Sequence, residues 1–212
     1  LTTDLKCCYT GVINDTMRAM GLTDYILPRQ LQAIMPDQVL AGPVFTISGK
    51  MVDNADPHQS LLQWTSLLSQ AKSGHIWVSQ PNNQEVAQMG ELSAEALQSR
   101  GVLGAVTDGL IRDTQCLLSL QFQTWCTGTT PADVVGRWLP DGFDLPIKIG
   151  SVQILPGDYL LGDRDGLICI PKAQCREIVD LSLKAIKAEN LVRTAILEGV
   201  DPQQAYIKYG EF

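Results

Sequence analysis

Two short apolar runs on either side of one amphipathic stretch constrain the fold of this chain more than any other feature. His75-Ile-Trp-Val-Ser79 and Gly104-Ala-Val-Thr107 are compact and apolar, as buried strands are, and residues 86–99 between them carry apolar side chains at helical spacing. A strand, a helix and a strand within about thirty residues form a βαβ unit, which places the two strands side by side and parallel. The sequence therefore predicts an α/β fold built around this unit.

The segments outside the unit fit a single domain. They predict, in chain order, a short helix at 11–21, strands within 38–52, a helix at 58–74, β-structure with tight turns between 122 and 170, a long amphipathic helix at 172–198 and a last helical turn or two from 201. Asn14 or Asp15 is expected to cap the first helix. Because the sequence shows neither a repeat nor a linker, we expect one domain over residues 1–212, in which residues 172–212 form a C-terminal helical arm.

Charge and cysteine usage narrow the possible functions. The net charge of −7 over 212 residues makes the surface acidic, which argues against binding to nucleic acid or to anionic lipid. No apolar run approaches the ~20 residues that a membrane-spanning helix requires. The six cysteines contain no Cys-x-x-Cys pair and there are two histidines, so we expect neither a structural zinc site nor a disulfide framework. This usage is typical of a soluble protein in the reducing cytoplasm.

The best candidate for a functional site lies at the carboxyl ends of the two strands, where open α/β sheets bind their ligands. Gly90-Glu91-Leu92-Ser93 lies at or near the start of the helix, and Asp108 to Asp113 follow the second strand. Free N–H groups in the first turn of a helix favour an anion, and Arg112 offers a planar fork suited to a carboxylate. Asp113 and Glu91 supply the hard oxygen ligands that Mg²⁺ or Mn²⁺ prefers. This combination predicts a site for a 2-oxo acid.

Each of these residues also has a purely structural interpretation. An Arg-Asp pair after a strand is commonly surface, Glu91 could simply complement the helix dipole, and Asp108-Gly109 could be only a turn. The pattern alone leaves both interpretations open.

The segment MGELSAEALQSRGVLGAVTDGLIRD, residues 89–113, resembles the signature of the RraA-like family, which includes the class II 4-hydroxy-4-methyl-2-oxoglutarate / 4-carboxy-4-hydroxy-2-oxoadipate aldolases. Twenty residues separate Glu91 from Arg112-Asp113, as they separate the acid from the Arg-Asp pair in these aldolases. The segments TGVINDTMRAMG, VLAGPVFTISG, TGTTPADVVGRW, IKIGSVQILPGDYLLGDRDGLICIP and KAENLVRTAILEGVDPQQAYIKYG are similar to further blocks of the family. The resemblance thus extends over nearly the whole chain.

The resemblance implies a three-layer sandwich of the swivelling-domain type, a homotrimer or a dimer of trimers, and divalent-metal-dependent cleavage of 2-oxo acids. By position, Asp113 would bind Mg²⁺, Mn²⁺ or another divalent cation, and Arg112 would bind the substrate. Glu91 would orient water on the metal. Gly90 would let the substrate approach closely, and Leu92 and Ser93 would offer backbone amides to its carboxylate. Glu189 would be the glutamate that a neighbouring subunit contributes.

Two positions depart from the family pattern. Glu91 is one methylene longer than the aspartate of the typical aldolases, and Met89 occupies a position where tryptophan is frequent. Both departures bear on substrate choice, and neither removes the expected metal ligand.

The expected activity is pyruvate release from 4-hydroxy-2-oxo acids, together with decarboxylation of oxaloacetate, since both reactions pass through the pyruvate enolate. A Schiff-base enzyme would need a lysine, and neither the motif helix nor the following loop contains one. The alternative is a non-catalytic RraA-type regulator that binds an RNA-degrading endonuclease through protein contacts. The presence of Glu91, Arg112 and Asp113 together favours the enzyme.

Overall fold

The structure is a computed structural model that describes residues 1–210 of the chain. Its helices are α1 (Thr2–Leu5), α2 (Thr10–Ala19), α3 (Pro57–Gln70), α4 (Glu91–Ser99), α5 (Thr114–Ser119), α6 (Cys175–Leu197) and α7 (Pro202–Tyr209). Its strands are β1 (Gln32–Ala33), β2 (Leu40–Met51), β3 (Ile76–Gln80), β4 (Gly104–Thr107), β5 (Leu110–Ile111), β6 (Thr124–Cys126), β7 (Gly128–Thr129), β8 (Trp138–Phe143), β9 (Ile147–Ile149), β10 (Val152–Ile154), β11 (Tyr159–Asp163) and β12 (Gly166–Ile170). The last two residues of the expected C-terminal arm, 211–212, lie outside the described residues.

The main sheet contains the predicted βαβ unit near its centre. Its strand order is β1-β6-β4-β3-β2-β11-β12, and β8 pairs with the second half of β2. The strands β3 and β4 are parallel neighbours, from Ile76 beside Gly104 to Ser79 beside Thr107. The prediction of a parallel pair joined by a helix is therefore confirmed.

Three buried clusters divide the molecule into layers. On one face of the sheet, α3, α4 and α5 pack against Phe45 and Trp77. On the other face, the β9–β10 hairpin packs against Val44 and Val106, and at the β11–β12 edge α2 and α6 enclose a third cluster around Leu161. This is the expected three-layer α/β fold with helices at the C-terminal end. Among residues 1–210, no helix combines the length and the apolar character that crossing a bilayer would need.

Two predicted helix boundaries are wrong. The helix expected at 86–99 begins only at Glu91, because the backbone of residues 87–88 bonds to Ala132 and Leu110 and so remains extended. The helix predicted at 11–21 corresponds to α2, which begins at Thr10, with Tyr9 at the N-cap position and no side-chain cap. Asn14 and Asp15 therefore lie inside that helix.

Candidate functional site

The extended segment before α4 brings the two halves of the predicted motif together. The backbone N–H of Gln88 donates to the Leu110 carbonyl at 2.7 Å, and the N–H of Arg112 donates to the Met89 carbonyl at 2.8 Å. These bonds hold residues 87–89 alongside 110–112, so that α4 begins next to the Arg112-Asp113 pair. The sequence prediction had placed this segment in the helix and missed the pairing.

Gly90 is the N-cap residue of α4, and its missing side chain permits the close approach. A Cβ atom at this position would lie 2.7 Å from Asp113 Oδ2 and 3.1 Å from Arg112 Cγ. The backbone angles of Gly90 are extended and acceptable for any residue, so the requirement for glycine comes from this crowding. Gly90 was expected to let the substrate approach closely, and that expectation stays a prediction.

Asp113 joins three elements of the site. It occupies the N-cap position of α5 and has a left-handed backbone (φ 54°). Its Oδ2 accepts a hydrogen bond from the Glu91 N–H of α4 at 3.1 Å. A left-handed backbone at a non-glycine residue is uncommon, although aspartate tolerates it better than most residues. Among residues 1–210, five other non-glycine residues also have positive φ, so the angle alone does not mark a site. Within residues 1–210, Asp113 Oδ1 takes no hydrogen bond, and the side chain is 38% exposed.

The Arg112 guanidinium lies between two carboxylates. Its Nε is 3.4 Å from Asp113 Oδ2, and its Nη1 is 3.3 Å from Asp133 Oδ2. All three side chains are between 37 and 43% exposed, so each pair is worth no more than ~1 kcal/mol of stability. The main effect of the pairs is therefore to orient the guanidinium.

Asp133 is a site residue that the sequence interpretation missed. Its Oδ1 accepts the Val135 N–H at 3.2 Å in a local turn. Its other oxygen reaches Arg112, more than twenty residues earlier in the chain. Only the TTPAD motif inside the resembling block could have indicated the position, because nothing in local spacing predicts this contact.

A cleft of about 470 Å³ opens over these residues. The predicted residues Gly90, Glu91, Leu92, Ser93, Arg112 and Asp113 all line it. The rest of the lining is Asp133 with residues of α3, of α4, of the extended segment and of the following loop: Leu61, Trp64, Thr65, Leu68, Ala87, Met89, Ala96, Val134 and Val135. Six of the seven predicted site residues thus meet in one cavity.

The start of α4 presents unpaired donors to the cleft. The N-cap residue Gly90 has no side chain to cap α4, and Asp113 accepts only the Glu91 N–H, so within the described residues the backbone N–H groups of Leu92 and Ser93 make no hydrogen bond. Ser93 is fixed by its hydroxyl, which accepts a bond from Trp64 Nε1 at 3.0 Å. Free N–H groups at a helix start bind anions. That these two amides receive the carboxylate of a substrate stays a prediction.

Glu189, the seventh predicted residue, lies elsewhere in this chain. It is on α6, where it accepts a hydrogen bond from the Tyr9 hydroxyl and lines a separate cavity with Asp15 and Arg193. Burial, followed by the bond to Glu189, raises the pKa of Tyr9 to about 12. Glu189 was expected to act in a neighbouring subunit, and that expectation stays a prediction.

The Cys116 thiol, three residues after Asp113, does not behave as a nucleophile or a soft metal ligand. Desolvation and the carboxylates of Glu91 and Asp113 raise the pKa of the Cys116 thiol. At neutral pH the group is therefore protonated, whereas nucleophiles and metal ligands are thiolates. Within residues 1–210, moreover, no cluster of three or more histidine, cysteine or acidic residues is arranged to hold a metal on its own.

Comparisons with known proteins agree on one family. A family model described as RraA-like, Aldolase/RraA, matches residues 10–169. A protein from Halalkalibacterium halodurans, which carries a provisional name as a 4-hydroxy-4-methyl-2-oxoglutarate aldolase, is 27% identical over 207 residues, covering 97% of this chain and 93% of its own. Protein DlpA of Legionella pneumophila is 23% identical over 209 residues, and the chain spans about a third (32%) of its length.

A solved structure with the same fold points to a different role. The crystal structure of Streptomyces coelicolor RraAS2, described as an unusual member of the RNase ES inhibitor RraA protein family, superposes with a TM-score of 0.79. It is 25% identical, and the match covers 91% of this chain and 94% of that one. Enzymes and inhibitors are thus both named among the proteins that this chain resembles.

Proposed function

The chain belongs to the RraA-like family, and on that premise we propose that it is a divalent-metal-dependent class II aldolase. It would cleave 4-hydroxy-2-oxo acids to pyruvate and would also decarboxylate oxaloacetate. One observation carries the proposal: Arg112 and Asp113 lie in one cleft with the first turn of α4, where the Leu92 and Ser93 amides make no hydrogen bond within residues 1–210. A guanidinium, a hard carboxylate ligand and two free amides are the groups that binding and activating a 2-oxo acid requires.

The residues at Asp113 fit a small divalent cation such as Mg²⁺ or Mn²⁺. The donor set consists of carboxylate oxygen atoms, and Asp113 Oδ1 takes no hydrogen bond within residues 1–210, while the side chain is 38% exposed. Mg²⁺ is commonly held by one or two carboxylates, with water and substrate oxygens completing its coordination. Bound by Asp113, the cation would supply Lewis-acid polarisation of the 2-oxo group.

The remaining groups of the cleft would bind the substrate and stabilise charge. The amides of Leu92 and Ser93 would receive the carboxylate, with the favourable end of the α4 dipole behind them. Arg112 would offset the negative charge that develops on the enolate oxygen when the C–C bond breaks. A preorganised donor of this kind contributes ~3–4 kcal/mol to the transition state.

We assign proton transfer to Glu91. The reaction removes a proton from the C4 hydroxyl and returns one to C3 of pyruvate, so it needs a group that can both accept and donate. The carboxylate of Glu91 lines the cleft and is exposed to solvent, which lets it act directly or through one water molecule. Glu189 of a neighbouring subunit, in a homotrimer, would add a second carboxylate.

The test is pyruvate release from oxaloacetate and from 4-hydroxy-4-methyl-2-oxoglutarate, with Mg²⁺ and with a chelator. We expect metal-dependent turnover that Arg112→Ala and Asp113→Ala each reduce at least ~100-fold, in line with the loss of one transition-state contact. Arg176→Ala is the matched control, because that arginine forms exposed pairs on α6 with Asp4 and Asp180.

Two outcomes would contradict the proposal. Equal rates in Mg²⁺ and chelator would remove the metal role. Absence of turnover on every 2-oxo acid would favour the regulator that RraAS2 exemplifies, and binding to an RNA-degrading endonuclease would then be the assay to perform.

A further inference from the structure

Trp64 of α3 lines the cleft and is held in place by other aromatic rings. The side chain is buried, and its ring centroid lies 5.9 Å from that of Trp77 and 5.8 Å from that of Trp138. Both contacts are tilted or edge-on, as aromatic pairs prefer. Trp138 is fixed in turn, because its Nε1 donates to the Pro81 carbonyl at 2.9 Å. A ring packed against two others has little freedom to turn, so the direction of the Trp64 Nε1–H bond is fixed.

This N–H bond determines how the hydroxyl of Ser93 can be used. Trp64 Nε1 lies 3.0 Å from Ser93 Oγ. An indole nitrogen is a donor only, so the serine oxygen must accept this hydrogen bond. The single hydroxyl proton of Ser93 is therefore left to donate in another direction.

Within residues 1–210, that proton has no protein acceptor. Three other helical serines, Ser69, Ser99 and Ser119, donate their hydroxyls to the carbonyl three or four residues earlier. Ser93 makes no such bond in the described part of the chain, and the carbonyls three and four residues before it already accept backbone N–H groups. Because Ser93 lines the cleft, its proton is available to a ligand there.

We propose that the Ser93 hydroxyl is a third donor to the substrate carboxylate, beside the amides of Leu92 and Ser93, and that Trp64 is the positioning residue that orients it. This inference rests on the proposed function and extends it to these two side chains. A carboxylate has lone pairs for all three donors. A hydrogen bond from a neutral donor to a charged acceptor contributes roughly 10- to 100-fold in affinity.

Calorimetry with pyruvate in the presence of Mg²⁺ measures this bond without turnover. Ser93→Ala removes the donor and places a good helix former in α4, and we expect it to raise the dissociation constant of pyruvate about tenfold or more. Ser99→Ala is the matched control on the same helix, because that hydroxyl bonds to the Ala96 carbonyl and does not line the cleft. Its dissociation constant should stay within twofold of that of the original protein.

Trp64→Phe keeps an aromatic ring beside Trp77 and Trp138 and removes the N–H donor. The Ser93 hydroxyl is then free to donate to its own helix, as the other serines do, so we expect pyruvate to bind about threefold to tenfold less tightly.

The double variant Trp64→Phe/Ser93→Ala tests whether the two side chains act as one unit. Ser93→Ala alone leaves the buried indole N–H without its acceptor, which is costly in itself, whereas the double variant contains neither group. We expect the double variant to bind pyruvate as weakly as Ser93→Ala, because Trp64 acts through a hydroxyl that both proteins lack.

Three results would overturn the inference. Unchanged pyruvate binding in Ser93→Ala would remove the bond from the hydroxyl to the carboxylate. Recovery of affinity in the double variant would assign the loss to the indole without an acceptor. An equal effect of Trp64→Phe with and without the Ser93 hydroxyl would leave Trp64 with a packing role only.

A separate measurement distinguishes these results from failure of the proposed function. Proton exchange at C3 of pyruvate in D₂O reports enolate formation by the original protein with Mg²⁺. Exchange combined with any of the three results would overturn the roles of Ser93 and Trp64 alone. Absence of both exchange and pyruvate binding in the original protein would overturn the proposed function, and this inference with it.

Discussion

Replacing Gly90 with alanine should inactivate the protein while leaving it folded. The new Cβ would lie 2.7 Å from Asp113 Oδ2, whereas ordinary contacts of a Cβ begin near 3.4 Å. The carboxylate must therefore retreat by about 0.7 Å, the difference between the two distances. The Cγ and Nε atoms of Arg112 would lie 3.1 and 3.2 Å from the new Cβ, so this side chain must shift together with the carboxylate.

The size of the effect follows from this displacement. Misplacing a catalytic group by ~1 Å costs about 100-fold in rate, so we expect kcat/KM for pyruvate release to fall by ~30- to 100-fold. The backbone of Gly90 is extended, and the crowded carboxylate is the end of a half-exposed side chain that can move. Stability should therefore change by less than ~1 kcal/mol, within the range of most surface substitutions.

The assay combines steady-state kinetics with thermal unfolding. Gly128→Ala is the control, because its Cβ would crowd only the Leu110 side chain, at 3.2 Å, and the residue does not line the cleft. A Gly90→Ala protein with unimpaired kcat/KM would refute the argument that this close approach sets the positions of Arg112 and Asp113.

Three further predictions concern other parts of the molecule. Asp133→Ala should lower kcat/KM about tenfold, because Arg112 loses one of its two orienting partners, while the free energy of unfolding in urea should fall by less than ~1 kcal/mol. Asp133→Glu should recover part of the rate, and unchanged kinetics of Asp133→Ala would contradict this role. Burial raises the pKa of Cys8 from 9.0 to about 11 and of Cys175 from 9.0 to about 12. As pH rises, the thiols of the unfolded chain therefore lose their protons first. The stability that these groups contribute is intact below pH 9 and is lost as pH rises toward 11–12, by up to ~1.4 kcal/mol per pH unit for each thiol. The free energy of unfolding, measured in urea at pH 7.5 and 10.5, should show this loss, and Cys175→Ala should reduce it. Removing divalent metal with a chelator should abolish pyruvate release but leave the circular dichroism spectrum and the midpoint of thermal unfolding unchanged, because Asp113 lies on the surface of an already packed core. Unfolding of the protein in chelator would contradict this prediction.

The central strands and helix of the fold could be predicted from the local sequence, whereas only some residues of the candidate site could. The strands β3 and β4 and the helix between them follow from apolar periodicity, which reflects burial that local sequence encodes. Arg112 and Asp113 became candidates because they follow β4 at the carboxyl end of a parallel strand, and the resemblance to the RraA-like family implied their roles.

The missed features depend on contacts between distant segments. The periodicity of residues 86–90 suggests helix, but the backbone there bonds to Leu110 and Ala132 instead, and this partner choice is not visible locally. Asp133 reaches Arg112 only because the loop after β7 folds back over the start of α4. The N-terminal boundary of α2 was misjudged for a related reason: the Thr10 N–H and hydroxyl bond to Asp163, a partner more than 150 residues away.

The position of β2 has a consequence for how the chain is made. Its residues 44–48 pair with β3, which follows it closely in sequence, and its residues 40–43 pair with β11, whose Tyr159 lies beside Pro43 across 116 residues. A ribosome adding ~5–20 residues per second needs of order 10 s to supply that second neighbour. Throughout this interval a nascent chain carries an apolar edge without its partner, so β2 is where chaperones and aggregation compete during synthesis.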